Sequence, residues 1–149
     1  MSNFDITKEF YALNNTICAA LGYEASNGGY DPDGGVYEVK PDKPFIRSDV
    51  IINDGSRVVI EDNAPQSNFP LLQLMVMTPK STQYNQSFKL LNDIDLIRPY
   101  IAQGSMIGDA RIYRFSISQQ MTNGETKFSN VNESTHVGHV ITIFCTAQQ

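Results

Sequence analysis

The middle of the chain contains the apolar run Phe69-Pro70-Leu71-Leu72-Gln73-Leu74-Met75-Val76-Met77. A nearly continuous apolar segment, closed here by Pro70 and Pro79, is typical of a central strand that is covered on at least one face. Upstream, segments 45–52 and 57–61 are rich in β-branched residues and flank Asn53-Asp54-Gly55-Ser56. Because both residues of an Asp-Gly pair tolerate positive φ, this pattern predicts a hairpin before the central strand.

Two helical segments flank this predicted sheet. Residues 5–21 form an amphipathic pattern that begins at a capping Asp5 and ends at Gly22, with apolar positions at Phe10, Leu13, Ile17, Ala20 and Leu21. Residues 82–103 are mainly helical, and Pro99 should kink or break that helix.

Further strands are predicted on both sides. Val36 to Val39 suggests a short edge strand after the glycine-rich loop at 26–35, and Tyr113, Phe115 and Ile117 alternate with polar residues as in a half-buried strand. The polar stretch 118–136, with Asn123-Gly124 in its middle, predicts the tip of a long hairpin that returns through strand 137–146.

These elements predict one α+β domain over residues 1–149. It has a mostly antiparallel sheet, packed by an N-terminal helix and a second, Pro-kinked helix, with a long C-terminal hairpin.

Charge and composition exclude several classes of protein. The 149 residues are 41% hydrophobic, and the net charge is -5. Since sequence-independent binding to nucleic acid needs clustered Lys and Arg, this balance argues against it. Residues 1–74 hold eleven acidic and five basic side chains, whereas residues 75–149 hold five acidic and six basic. This asymmetry predicts one negatively charged face.

The sequence contains no motif for catalysis or for a cofactor. Cys18 and Cys145 lie far apart in apolar stretches, so we predict buried thiols, with a disulfide as the alternative. His136 and His139 would point to opposite faces of a strand, which is poor geometry for a shared metal. There is no phosphate-binding glycine motif, signal peptide or membrane span. We therefore expect a protein of the reducing cytoplasm, without cofactor or metal, that is not an enzyme.

Two features favour assembly instead. The glycine-rich acidic loop and the polar hairpin at 118–136 supply few side chains to a core. Taken together, they suggest arms that reach neighbouring subunits of a ring.

The order of elements resembles a known family of phage proteins. The resemblance rests on helix 5–21, on Pro44-Phe45-Ile46 at the start of a strand, and on the central run from Phe69 to Met77. It continues through Thr78-Pro79-Lys80-Ser81, the helix ending at Pro99-Tyr100-Ile101, and two terminal strands. In this order and size, the chain resembles the tail terminator proteins of long-tailed bacteriophages and the related neck, or head-to-tail joining, proteins.

The resemblance implies a structural virion protein. It would form a ring, hexameric in that family, that caps the tail tube, joins it to the head connector or neck protein, and lets DNA pass without specific binding. By loop position, Asp31, Asp33 and Asp54 are candidates for the acidic lumen. The candidate inter-subunit hairpin is centred on Asn123, Gly124, Glu125 and Lys127. The long glycine-rich loop and the 118–136 hairpin depart from short family members.

The alternative hypothesis is a small α+β enzyme or ligand-binding domain with an apolar pocket under the sheet. In that hypothesis the pocket is lined by Tyr113, Phe115, Ile141 and Ile143. His139 or Asp109 would then perform acid–base chemistry.

Overall fold

The structure, a computed structural model, describes residues 3–51, 71–79, 86–118, 121–122 and 136–147. In chain order the elements are α1 (Asn3–Leu21), β1 (Glu24–Asn27), β2 (Phe45–Ile51), β3 (Leu71–Pro79), α2 (Gln86–Ile97), the 3-10 helix η1 (Arg98–Ile101), β4 (Met106–Ile107), β5 (Ala110–Ile117), β6 (Met121–Thr122) and β7 (His136–Ala147).

The strands form one mixed sheet in the order β1-β2-β3-β7-β5-β4, and β6 also pairs with β7. The β1–β2 pair is parallel, and the other pairs are antiparallel. β3 lies between β2 and β7, and Leu72, Leu74 and Val76 are fully buried on one face. The predictions of a central strand at 71–77 and of an α+β fold with a mostly antiparallel sheet are confirmed.

The N-terminal side of the sheet differs from the prediction. The edge strand is β1, within a region expected to be helix end and loop, because Ala25 packs into the core and pairs with Ile46. The strand predicted at 36–39 is wrong, since Val36 makes only an isolated bridge to Tyr30. The predicted hairpin turn and strand 57–61 lie outside the described residues. β3 is the antiparallel neighbour of β2.

α1 lies across the sheet with the apolar face that its spacing predicts. Ile6, Phe10 and Ile17 are fully buried, whereas Ala20, expected on the same face, is exposed. The helix ends at Gly22, whose φ of +78° favours glycine, and the N–H groups of Gly22 and Tyr23 both donate to the carbonyl of Cys18.

The second helix is broken as predicted. α2 ends at Ile97 and continues as η1, with Pro99 in its first turn. Ile94, Ile97 and Ile101 are buried against the sheet. The Tyr23 hydroxyl donates to the Asp93 carboxylate at 2.5 Å and so ties α2 to the end of α1.

β5 and β7 form the C-terminal hairpin. A β-bulge between Ile112 and Arg114 shifts their register, and β6 extends the pairing to Gly138 and Val137. The short strand β4 pairs with the start of β5. The hairpin tip, and with it Asn123, Gly124, Glu125 and Lys127, lies outside the described residues.

The sheet has a core on each face. The large core lies between the sheet and the helices and contains nineteen buried residues among those that the structure describes. The small core, on the opposite face, consists of Tyr37, Phe45, Met75 and Met77, with Val140 partly buried against them. Cys18 and Cys145 are both free and both belong to the large core, so the prediction of buried thiols is confirmed and the disulfide alternative is wrong.

Candidate functional site

The loop between β1 and the small core is tightly ordered, and we call residues 28–38 the acidic loop. Asn27 and Tyr30 exchange backbone hydrogen bonds of 2.7 and 3.1 Å. The N–H of Asp31 donates to the carbonyl of Gly35 at 2.6 Å, and that of Gly34 donates to Asp31 at 2.9 Å. These bonds hold the loop in a defined shape, so its side chains have fixed positions.

One glycine of this loop is required by its surroundings. Gly28 has a φ of +64°, and a Cβ at this position would collide with the hydroxyl of Tyr11 on α1. The N–H of Gly28 donates to the carbonyl of Ser48 at 2.6 Å. The loop is therefore clamped between α1 and β2 at its first residue.

The acidic loop exposes apolar side chains. Tyr30 is 54% exposed and Val36 is 72% exposed, although the two residues form a β-bridge. A loop that only connects two elements normally shows polar side chains to water. Tyr30 and Val36 are neighbours across this bridge, and adjacent exposed apolar side chains favour contact with another molecule more than isolated ones do.

A groove of about 420 Å³ separates this loop from α1. Its lining is mainly apolar on the loop side and includes one carboxylate and one ammonium. The lining residues are Thr7, Lys8, Tyr11, Ala12, Asn15, Asn27, Tyr30, Asp31, Pro32 and Gly34. We call this feature the α1 groove.

A buried polar network fixes the floor of the α1 groove. The Asn14 amide donates to the Asn27 side-chain carbonyl at 2.8 Å and to the carbonyl of Ile46 at 3.2 Å. The Ser48 hydroxyl also donates to Asn27, whose own amide donates to Asn15. Since these bonds join α1, β1 and β2, the groove walls are held in one relative position.

A second exposed cluster lies on β5 and β7, on the sheet face away from the helices. The Arg114 guanidinium lies 3.9 Å from the centre of the Phe144 ring and 6.0 Å from that of Tyr113, and the two rings are 6.2 Å apart. Arg111 is exposed on the same strand, and Tyr113 is 43% exposed. We call Arg111, Tyr113, Arg114 and Phe144 the arginine patch.

The predicted lumen acids are only partly placed. Asp31 and Asp33 share the acidic loop, where the Asp33 carboxylate accepts a bond from the N–H of Gly35 at 3.1 Å. Asp54 lies outside the described residues.

The residues of the alternative hypothesis do not meet at one pocket. Ile141 and Ile143 are fully buried in the large core, Phe115 is half-buried and Tyr113 is exposed. His139 shares a hydrogen bond of 2.7 Å with the carbonyl of Ser118, and Asp109 is exposed in the turn before β5.

Buried titratable groups lie in the cores. Burial raises the pKa of the Cys18 thiol to about 12 and that of Cys145 to about 11. For His136 burial has the opposite effect and lowers the pKa, although its bond to the Lys43 carbonyl opposes that shift. These thiols are poor nucleophiles because the reactive form is the thiolate. Within the described ranges, no three His, Cys, Asp or Glu side chains are grouped so that they could hold a metal ion.

Sequence reasoning missed the α1 groove and the arginine patch. The groove depends on β1, whose four residues lack the apolar alternation of a strand. The patch depends on the bulge at Ile112, which puts Tyr113 and Arg114 next to each other on exposed positions. Arg, Tyr and Phe close together in one strand pair was the available signal.

Comparison with known proteins shows the fold. A solved structure whose description states no function is similar over 100% of this chain and 97% of its own length, at 13% identity and a TM-score of 0.60. No family model matches the sequence, and no curated relative was found. No helix in the described part of the chain is long and apolar enough to cross a membrane.

Proposed function

We propose that this chain is a structural virion subunit that assembles into a ring. In the family that the sequence resembles, such a ring is hexameric, caps the tail tube and joins it to the head connector. The ring would lie at the neck of a long-tailed phage, after assembly in the host cytoplasm.

The observation that carries this proposal is the acidic loop. Its backbone is fixed by hydrogen bonds, yet Tyr30, which lines the α1 groove, and Val36 remain exposed to water. Exposed apolar side chains on a rigid support favour a protein interface, because little conformational entropy is lost when they are covered. This loop therefore supports a role in assembly.

The net charge of the chain supports a passage for DNA. An excess of five negative charges repels phosphate groups, so DNA would slide through a ring of such subunits without being held. The tail tube protein and the head connector are the partners that this role requires.

Negative-stain electron microscopy at high protein concentration tests the proposal. We expect closed rings, and we expect that adding them to polymerising tail tube protein of the same phage shortens the tubes. A Tyr30→Ser/Val36→Ser variant should form few rings, whereas Val39→Ser, at an exposed apolar residue beyond the loop, should form them normally. A protein that stays monomeric at every concentration and leaves tube length unchanged would overturn the proposal.

A further inference from the structure

The molecule carries opposite charges at the two ends of its sheet. In strand order, β1 is at one end with the acidic loop, and β5 with its partner β4 is at the other. Asp31, Asp33 and Glu38 lie in the loop, and no basic residue occurs between Gly28 and Val39. Because the two ends differ, a contact between them is heterologous and can close a ring.

The arginine patch carries two positive charges that can pair with carboxylates of another molecule. Across the described ranges, neither Arg111 nor Arg114 makes an ion pair, in contrast to Arg47 with Asp49 and Arg98 with Asp95. The Arg114 guanidinium lies over the Phe144 ring, with its central carbon 3.9 Å from the ring centre, and a guanidinium that contacts a ring can still pair with a carboxylate through its N–H groups. Tyrosine and arginine are among the residue types enriched at the centres of protein interfaces.

The α1 groove has the complementary chemistry. Its lining includes the apolar residues Tyr30, Pro32 and Ala12 together with the carboxylate residue Asp31. Asp33, in the same loop, is exposed. The lining holds one carboxylate, Asp31, and one ammonium, Lys8, and Asp33 adds a second carboxylate to the neighbouring acidic loop.

We infer that the arginine patch of one copy of this chain docks into the α1 groove of the next. Tyr113 enters the groove between α1 and the acidic loop, and Arg111 and Arg114 pair with Asp31 and Asp33. The inference rests on the proposed ring, and it names the two surfaces that join its subunits. It places Asp31 and Asp33 at the subunit interface and leaves Asp54 as the lumen candidate.

Charge reversal tests this pairing. Arg111→Glu/Arg114→Glu and Asp31→Lys/Asp33→Lys should each raise the concentration at which rings form by at least tenfold, measured by sedimentation velocity or mass photometry. An equimolar mixture of the two variants should also recover assembly, because in an alternating ring with an even number of subunits each glutamate patch meets a lysine groove and each arginine patch meets an aspartate groove. Combining all four substitutions in one chain should restore assembly, since every interface then regains opposite charges.

Two matched controls separate the interface from folding and from total charge. Arg98→Glu reverses an arginine outside the patch and should leave assembly unchanged. Ala12→Arg places a cation in the α1 groove and should block rings, whereas Ala19→Arg, at another exposed alanine of α1, should not. Circular dichroism melts of all variants establish that they remain folded.

The outcomes distinguish this inference from the proposed function. If the wild-type chain forms rings and neither double reversal affects them, the docking assignment is wrong while the ring stands, and Asp31 and Asp33 return to the lumen. If the wild-type chain forms no rings, even on tail tubes, both proposals fall. Loss of rings in both reversals with recovery in the quadruple variant supports the docking assignment.

Discussion

The two cores of this protein differ in composition and in what they hold. The large core packs two helices against one sheet face and is mostly aliphatic, with the Asn14 network at its border. The small core packs a single irregular segment against the other face and consists of two aromatic rings and two methionines, with Val140 partly buried against them. His136 borders the small core, with its ring 5.0 Å from that of Phe45.

This difference gives the two cores different roles: the large core mainly stabilises the fold, whereas the small core positions the acidic loop. Helices satisfy most of their own backbone groups, so the large core is held mainly by apolar contact, with the Asn14 network and the Tyr23–Asp93 bond at its edges. The segment over the small core, residues 37–44, lacks a ladder of its own and is fixed by individual bonds. Lys43 accepts from His136 at 2.7 Å, and Tyr37 donates to Glu24 at 3.1 Å. Since this segment continues directly from the acidic loop, the small core determines where that loop lies.

Gly138→Ala gives the largest expected effect, because it separates the strands beneath the small core. A Cβ at Gly138 would collide with the backbone carbonyl of Val76 and lie 2.6 Å from the Met77 sulfur. We expect a loss of about 3 kcal/mol in the free energy of unfolding, measured by urea denaturation.

Gly35→Ala is the matched control for this prediction. Its Cβ would meet only carboxylate oxygens of Asp33 and Asp31, at 3.6 and 3.7 Å, and its φ is not positive. The free energy of unfolding should change by no more than about 0.5 kcal/mol. If the two variants lost equal free energy of unfolding, the prediction would be contradicted, because Gly138 would then not be needed for the close approach of β3 and β7.

Much of the fold was predictable, because the spacing of apolar residues and the positions of glycine and proline are strong signals. The run at Leu71–Met77, the helix ending before Gly22 and the break at Pro99 all appear in the structure. β1 was missed because Glu24–Asn27 is held by tertiary bonds: Ser26 and Asn27 are buried polar residues with side-chain or backbone partners from α1 and β2. Because these partners are distant in sequence, no local sequence pattern predicts the strand.

Asn14→Ala tests the border of the large core and has an intermediate expected effect. The substitution removes the donor to the Asn27 side chain and to the Ile46 carbonyl, and also the acceptor of the Cys18 thiol. Leaving buried polar atoms without partners should cost about 2 kcal/mol. Thermal unfolding measures this loss.

Asn15→Ala is the corresponding control, since this half-buried side chain makes one bond to Asn27. We expect a loss of about 0.5 kcal/mol. If both asparagines proved equally dispensable, the network would not be what holds α1 against β1 and β2.

The candidate site was less predictable than the fold. Asp31 and Asp33 were identified from loop position, but the groove that they border forms between α1 and a loop whose hydrogen bonds pair residues a few positions apart. The arginine patch depends on one β-bulge. A shift of one residue in strand register cannot be recognised from the spacing of apolar residues in the sequence. Composition indicated an acidic half of the chain, and only the structure showed that the arginines lie on the strand at the other end of the sheet.

Acidification gives the smallest expected effect and acts on the small core alone. Burial lowers the pKa of His136 below its ordinary value of 6.5, so below that pH the unfolded chain binds more protons than the folded chain does. The free energy of unfolding should therefore decrease as pH falls below about 6.5, by at most about 1.4 kcal/mol per pH unit for one histidine. Glu24, whose pKa is lowered chiefly by its hydrogen bond to Lys40, loses its contribution to stability only below about pH 4.5, in a separate pH range.

His136→Gln retains an N–H donor for the Lys43 carbonyl but cannot take up the proton, so urea denaturation between pH 7.5 and 5.5 should show a flatter profile for this variant. Identical profiles for the variant and the wild-type chain would show that His136 is not the group through which acid weakens the small core.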